Sequence, residues 1–161
     1  INIAGGGTLT ELTYDVPSRL KTMLGQLAYY IKGVEKMVSL SPQELIINAE
    51  GQETIHDEFM IFLITNTNSV GGFEKLAPGA RIDDGLLDVI ALKKCNLAEF
   101  VRLVSLALRG EHFNDKKVVY FRTRSMEVTS PGKVLLNLDG ELGGTLPGRF
   151  SVLPQHLRIF A

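Results

Sequence analysis

The sequence predicts a mainly β domain of the α+β class, in which two antiparallel sheets pack as a β-sandwich with about two helices. About ten short segments show the apolar pattern of strands, whereas only two show helical periodicity. Short turns join most of the strand-like segments, which favours antiparallel pairing over helical crossovers. The 161 residues suit one domain over 1–161 with a buried core.

The first forty residues predict a strand, a glycine-rich bend, a second strand and a helix. Residues 1–4 are apolar and precede three glycines at 5–7. A phosphate-binding loop must open a helix, but the alternating residues 8–14 predict a strand, so the glycines indicate a bend or bulge. The helix has Pro17 in its first turn and ends at Gly33. Basic residues flank the apolar stripe of this helix. The helix either packs this stripe on the core, which is the commoner arrangement, or lies on anionic lipid.

Residues 42–50 and 53–66 predict two strands of a hairpin, with the turn at Gly51. The run 59–65 is almost continuously apolar, which is typical of a strand buried on both faces. The polar residues 66–69 that follow it either line a cleft or form an ordinary loop, and the loop is favoured.

The stretch 75–90 contains two turn signals, Pro78-Gly79 and Asp83-Asp84-Gly85. Apolar residues from Ile82 onward predict strand, with the clearest segment at 87–92. Adjacent aspartates before a glycine can hold a turn through backbone hydrogen bonds. They can also bind a hard divalent cation together with main-chain carbonyls. The residues alone favour the plain turn and leave the cation open.

A second helix is predicted to begin after Asn96, where Glu99 completes a capping box, and to end at Gly110. The predicted core-facing stripe, with the small Ala107 beside it, consists of Leu97, Phe100, Val101, Val104 and Leu108.

The rest of the chain predicts strands at 118–123, 125–129, 134–138, 142–146, 150–153 and 157–160. Asp139-Gly140 is a strong hairpin signal, and Glu141 follows it directly. A tight hairpin can hold a catalytic carboxylate at the rim of a sheet, although the simpler interpretation is a solvated hairpin flank. The three histidines lack metal-ligand spacing, and Cys95 is predicted to be an inert packed thiol.

Composition excludes some classes of function. The net charge of −1 argues against a nucleic-acid partner, and a single cysteine is typical of a reducing compartment. No apolar run approaches the ~18 residues of a membrane-spanning helix. The chain begins with Ile1 inside an apolar run, from which we expect a piece of a longer protein whose missing part lies upstream.

Three stretches resemble the second domain of the soluble bacterial diacylglycerol kinases and their lipid-kinase relatives. They are the opening INIAGGGTLTELTYDVPSRLKTMLGQLAYYIKG, the segment NTNSVGGFEKLAPGARIDDGLLDVIALKK and the later LNLDGELGG. The resemblance covers essentially the whole chain and implies the second domain of the NAD kinase/diacylglycerol kinase-like fold. It also implies an upstream nucleotide-binding domain with a GGDGT motif, which this chain lacks.

The resemblance also implies site residues. The DGE motif would make Glu141 the proton acceptor for the lipid hydroxyl. The DDG motif would hold a structural Mg²⁺ through Asp84 and the main-chain carbonyls of Arg81 and Leu86. ATP would be bound mainly by the upstream domain, which would be the main protein partner of this chain.

The function expected from the resemblance is the lipid-substrate domain of an ATP-dependent diacylglycerol kinase, an enzyme that converts diacylglycerol to phosphatidate. We expect the full protein to be cytoplasmic and peripherally associated with the inner face of the membrane, and this fragment alone to be inactive. Homodimer formation through exposed β edges is a further expectation. The alternatives are a sphingoid-base or NAD kinase relative and a non-catalytic β-sandwich that binds a ligand or partner.

Overall fold

The computed structural model describes residues 2–7, 41–68, 75–154 and 156. They contain nine strands, one α-helix and a short 3-10 helix. The strands are β1 (Ile3–Gly6), β2 (Gln43–Ala49), β3 (Ile55–Thr65), β4 (Leu87–Lys93), β5 (Val118–Thr123), β6 (Ser125–Thr129), β7 (Leu135–Leu138), β8 (Glu141–Thr145) and β9 (Gly148–Ser151). The helix α1 spans Leu97–Arg109, and the 3-10 helix spans His112–Asn114.

All nine strands belong to one antiparallel sheet that branches at β3. The first half of β3 pairs with β2 and its second half with β1, while β4 pairs along the opposite edge. A register shift between Phe59 and Ile61 lies near the point where β3 changes partner. The predicted two sheets are therefore two layers of one continuous sheet, β9-β6-β2-β3 and β8-β7-β1-β3-β4-β5, which share β3.

Side chains from both layers meet in one apolar core, which confirms the predicted sandwich. Its fully buried members come from the central strands and include Leu45, Ile47, Phe59, Phe62, Val89 and Val128. Phe59 and Phe62 are the largest of the fully buried side chains, as expected because aromatic side chains bury the largest apolar areas.

The glycines at 5–7 serve close packing, and the predicted bend is at Gly7, whereas Gly5 and Gly6 belong to the strand. Gly5 and Gly6 lie within β1, and a Cβ on Gly6 would be 2.6 Å from the Phe62 ring. Gly7 has φ +107°, and a Cβ there would lie 2.7 Å from the carbonyl oxygen of Met60. Only glycine lets β1 approach β3 this closely and then bend away.

A second apolar cluster covers the outer face of β4 and β5. Leu76, Ala77, Ile90 and Ala107 form its buried centre. The predicted capping box at Asn96 and the left-handed cap at Gly110 are both present in α1.

The predicted stripe of α1 is wrong in part. The helix buries Leu103 and Ala107, whereas Leu97, Val101 and Leu108 are exposed. The apolar surface of this helix is wider than the part that is buried, and Ala107 belongs to the second apolar cluster.

The structure agrees with the predicted hairpin of β2 and β3 but not with the predicted strand at Ile82. The β2–β3 hairpin is confirmed, with Gly51 at φ 78° in its turn. Ile82, predicted to lie in a strand, instead lies in an exposed turn, because the strand begins only after the Asp83-Asp84-Gly85 turn. The elements predicted at 8–14, 15–33 and 157–160 lie outside the described residues. No helix within the described ranges is long and apolar enough to cross a membrane.

Candidate functional site

Several strand ends meet at one edge of the layer formed by β7, β1, β3, β4 and β5. In the strand register, Ile3 of β1 lies opposite Thr65 of β3, and Thr65 lies opposite Asp88 of β4. Asp88 lies opposite Arg122 of β5. The loop that enters β4 and the turn that leaves β7 therefore share this edge with the start of β1. We call it the acidic edge.

The Asp139-Gly140 turn joins β7 to β8 at the acidic edge. Both residues have positive φ, 52° and 97°, as a two-residue hairpin turn requires. Asn137 Oδ1 accepts a hydrogen bond of 2.8 Å from the Gly140 amide. Asp139 Oδ1 accepts hydrogen bonds from the amides of Asn2 and Ile3 at 2.9 and 2.8 Å. Asp139 thus fixes the hairpin to the first strand, a stronger structural role than the predicted turn former.

Glu141 is the first residue of β8, and its side chain is exposed. Every residue of β8 is exposed. The strand lies close against β7, since a Cβ on Gly143 would be only 2.2 Å from Leu138 Cγ. This packing holds the backbone that carries Glu141 while leaving the Glu141 side chain exposed.

The two aspartates of the DDG turn have different surroundings. The Asp83 side chain is 68% exposed and forms an ion pair with Arg81 at the surface. The hydrogen bond from Arg81 lowers the pKa of Asp83. The Asp84 side chain is only 18% exposed. Its Oδ1 accepts a 3.0 Å hydrogen bond from the Leu86 amide, and its Oδ2 pairs with the Arg122 guanidinium.

Asp88, Tyr120 and Arg122 form a polar cluster behind the DDG turn that the sequence analysis missed. The Asp88 side chain is fully buried, and its Oδ1 accepts a hydrogen bond from the Tyr120 hydroxyl. Burial raises the pKa of Asp88, against the effects of that hydrogen bond and of the Arg122 charge. Burial and the bond to Asp88 raise the pKa of Tyr120 to about 12. The available signal was a charged residue, Asp88, inside an otherwise apolar strand.

The DDG turn has the donor chemistry of a hard-cation site. Asp84 offers a carboxylate, and Arg81 and Leu86 offer main-chain carbonyls, all oxygen donors of the kind that Mg²⁺ prefers. Within the described ranges no three His, Cys, Asp or Glu side chains form a metal cluster, so carbonyls or water would have to complete the coordination. The residues fit such an ion, but it would have to compete with Arg122 for Asp84 Oδ2.

A cleft of about 360 Å³ lies beside this turn. It is lined by Thr67 and Asn68 of the loop after β3 and by residues 80–83. The described part of the polar segment after β3, residues 66–68, is therefore a loop, as favoured, and two of these residues also line the cleft.

The predicted site residues fall into two groups along the acidic edge. Arg81, Asp84 and Leu86 share one turn. Glu141 follows the turn that leaves β7, three strands from β4 in the order β7-β1-β3-β4. Three strand spacings separate the two turns by about 14 Å.

Known proteins resemble this chain in sequence and fold. The family described as the YegS C-terminal NAD kinase beta sandwich-like domain matches residues 12–161. A Bacillus subtilis protein named diacylglycerol kinase is 57% identical over 99% of this chain and 52% of its own length. One of the same name from Staphylococcus carnosus is 44% identical over 99% of this chain and 52% of its own length.

The chain thus spans about half the length of these curated relatives. The crystal structure of a putative diacylglycerol kinase from Bacillus anthracis matches the fold with a TM-score of 0.69 and 20% identity, over 95% of this chain and 49% of that one. With a match over nearly its whole length, the chain belongs to the family of YegS C-terminal NAD kinase beta sandwich-like domains.

Proposed function

We propose that this chain is the lipid-substrate domain of an ATP-dependent diacylglycerol kinase, which transfers a phosphoryl group to diacylglycerol and yields phosphatidate. One observation carries the proposal: the turns that bear Asp84 and Glu141 lie along the same edge of the sheet, beside the start of β1. The relatives named diacylglycerol kinase support the choice of substrate.

Glu141 is the proposed proton acceptor. Its carboxylate is exposed at the rim of the sheet, where the hydroxyl of a bound lipid can donate a hydrogen bond to it. As the hydroxyl oxygen bonds to the γ-phosphorus of ATP, the bond from that phosphorus to ADP breaks, ADP leaves, and the hydroxyl proton passes to Glu141. Because phosphoryl transfer depends mainly on positioning and charge stabilisation, a carboxylate fixed by a tight hairpin suits this role.

The proposed Mg²⁺ site has a structural role. Asp84 and the carbonyls of Arg81 and Leu86 would hold the ion, which would supply positive charge that stiffens the turn. The nucleotide is proposed to bind mainly to the remainder of the full-length protein. Since diacylglycerol resides in the bilayer, we place the enzyme in the cytoplasm at the inner face of the membrane.

The test measures transfer of labelled phosphate from ATP by the intact protein to diacylglycerol, a sphingoid base and NAD. We expect diacylglycerol to be the best acceptor and Glu141→Ala to lower turnover by about 10²–10⁴-fold. Glu127→Ala is the matched control, because Glu127 is an exposed glutamate on β6 in the other layer.

Near-normal turnover by Glu141→Ala would refute the proposed role of Glu141. Preference for NAD or the sphingoid base would favour another kinase of the family. Phosphorylation of none of the three acceptors would favour the non-catalytic binding module.

A further inference from the structure

Arg122 lies between two carboxylates of unequal exposure. Its Nη2 pairs with Asp84 at the surface of the turn, while its Nε lies 3.7 Å from Oδ1 of the buried Asp88. Asp88 and Arg122 are cross-strand neighbours of β4 and β5, so the stem of the arginine is fixed beside Asp88. Only the end of the side chain needs to turn for the guanidinium to exchange one carboxylate for the other.

Arg122 and Asp88 already form a long ion pair of 3.7 Å, but two of their complementary atoms make no hydrogen bond. Among the described residues, Asp88 Oδ2 and Arg122 Nε are buried atoms without a hydrogen-bond partner. An unpaired buried acceptor on a carboxylate is costly, as is an unpaired buried donor on a guanidinium. The site therefore contains a ready alternative partner for Arg122.

We propose that Arg122 is a positioning residue that holds Asp84 until a divalent cation binds there and then pairs with Asp88 alone. This inference rests on the cation site of the proposed function and adds the means by which its affinity is set. A cation at Asp84 would repel the guanidinium from Asp84 Oδ2. Asp88, whose carboxylate is held by a hydrogen bond from the Tyr120 hydroxyl, would then pair with the displaced guanidinium.

The exchange predicts opposite effects for the two partners of Arg122. Arg122→Gln removes the charge that competes for Asp84, so Mg²⁺ should bind about tenfold more tightly. Asp88→Asn removes the charge that receives the displaced arginine, so Mg²⁺ should bind several-fold more weakly. Arg122→Lys keeps the charge and should restore an affinity close to that of the wild type. A merely structural role would weaken binding in both Arg122→Gln and Asp88→Asn.

The experiment is calorimetric titration of the intact protein with Mg²⁺ in the absence of nucleotide. Asp84→Asn identifies the heat that belongs to this site. Arg102→Gln is the matched control, because it changes the net charge by the same amount as Arg122→Gln. Arg102 pairs with Asp115, which lies just before the start of β5, whereas Arg122 lies near the end of that strand. The control should leave the affinity unchanged.

Two results would overturn the inference while leaving the cation site intact. The first is weaker Mg²⁺ binding by both Arg122→Gln and Asp88→Asn. The second is a structure of the wild-type protein with Mg²⁺ at Asp84 in which Arg122 keeps its pair with Asp84. Binding heat that Asp84→Asn does not change would remove both the cation site and the inference. The role of Glu141 would still be decided separately by the turnover of Glu141→Ala.

Discussion

The carboxylate of Asp139 is the link between the DGE hairpin and the first strand. One of its oxygens accepts hydrogen bonds from two main-chain amides, those of Asn2 and Ile3, at 2.9 and 2.8 Å. Asp139→Gly removes both bonds and tolerates the φ of 52° without strain. At roughly 0.5–1.5 kcal/mol for each bond, we expect the free energy of unfolding to fall by about 1–3 kcal/mol.

Urea unfolding followed by circular dichroism measures this change. With a slope of about 2 kcal/mol/M, a loss of 2 kcal/mol moves the midpoint by about 1 M. Asp139→Asn retains a neutral acceptor and should lose less than half as much. Asp83→Ala is the control, because the exposed ion pair of Asp83 with Arg81 contributes little to stability and the midpoint should stay close to that of the wild type. A wild-type midpoint for Asp139→Gly would show that these bonds do not hold the hairpin to β1.

Two further predictions concern buried polar groups. Asp88→Ala leaves the partly buried Tyr120 hydroxyl without its acceptor, and we expect a loss of about 1–3 kcal/mol in urea unfolding; an unchanged midpoint would contradict the pairing of Tyr120 with the buried Asp88. Burial holds the pKa of His112 below its usual 6.5, so the unfolded chain takes up the proton first and stability should fall as pH drops below about 6.5. His112→Gln should remove this part of the pH dependence between pH 5 and 8, and an unchanged dependence would contradict the assignment.

Local patterns predicted much of the fold because they act over a few residues. The capping box of Asn96 and Glu99 and the Asp139-Gly140 hairpin each depend on backbone geometry within four residues. The buried face of α1 was harder to predict, because the apolar residues of this helix extend over more of its circumference than is buried. The continuity of the two layers through β3 depends on long-range pairing that no local pattern encodes.

The candidate site divides in the same way. Glu141 and Asp84 could be proposed from the sequence because each adjoins a turn with recognisable chemistry and a motif that resembles one of the family. Arg122 was missed because its partners are 34 and 38 residues away along the chain and meet it only through the register of β4 and β5. Tyr120 was missed for the same reason.

The most direct test of the account is the turnover of Glu141→Gln in the intact protein with diacylglycerol and ATP. The substitution keeps the size of the side chain and removes its ability to take up a proton. The account predicts that kcat falls by at least about 100-fold while the KM for ATP changes little. A kcat within about threefold of the wild type, with diacylglycerol as the acceptor, would show that Glu141 is not the proton acceptor.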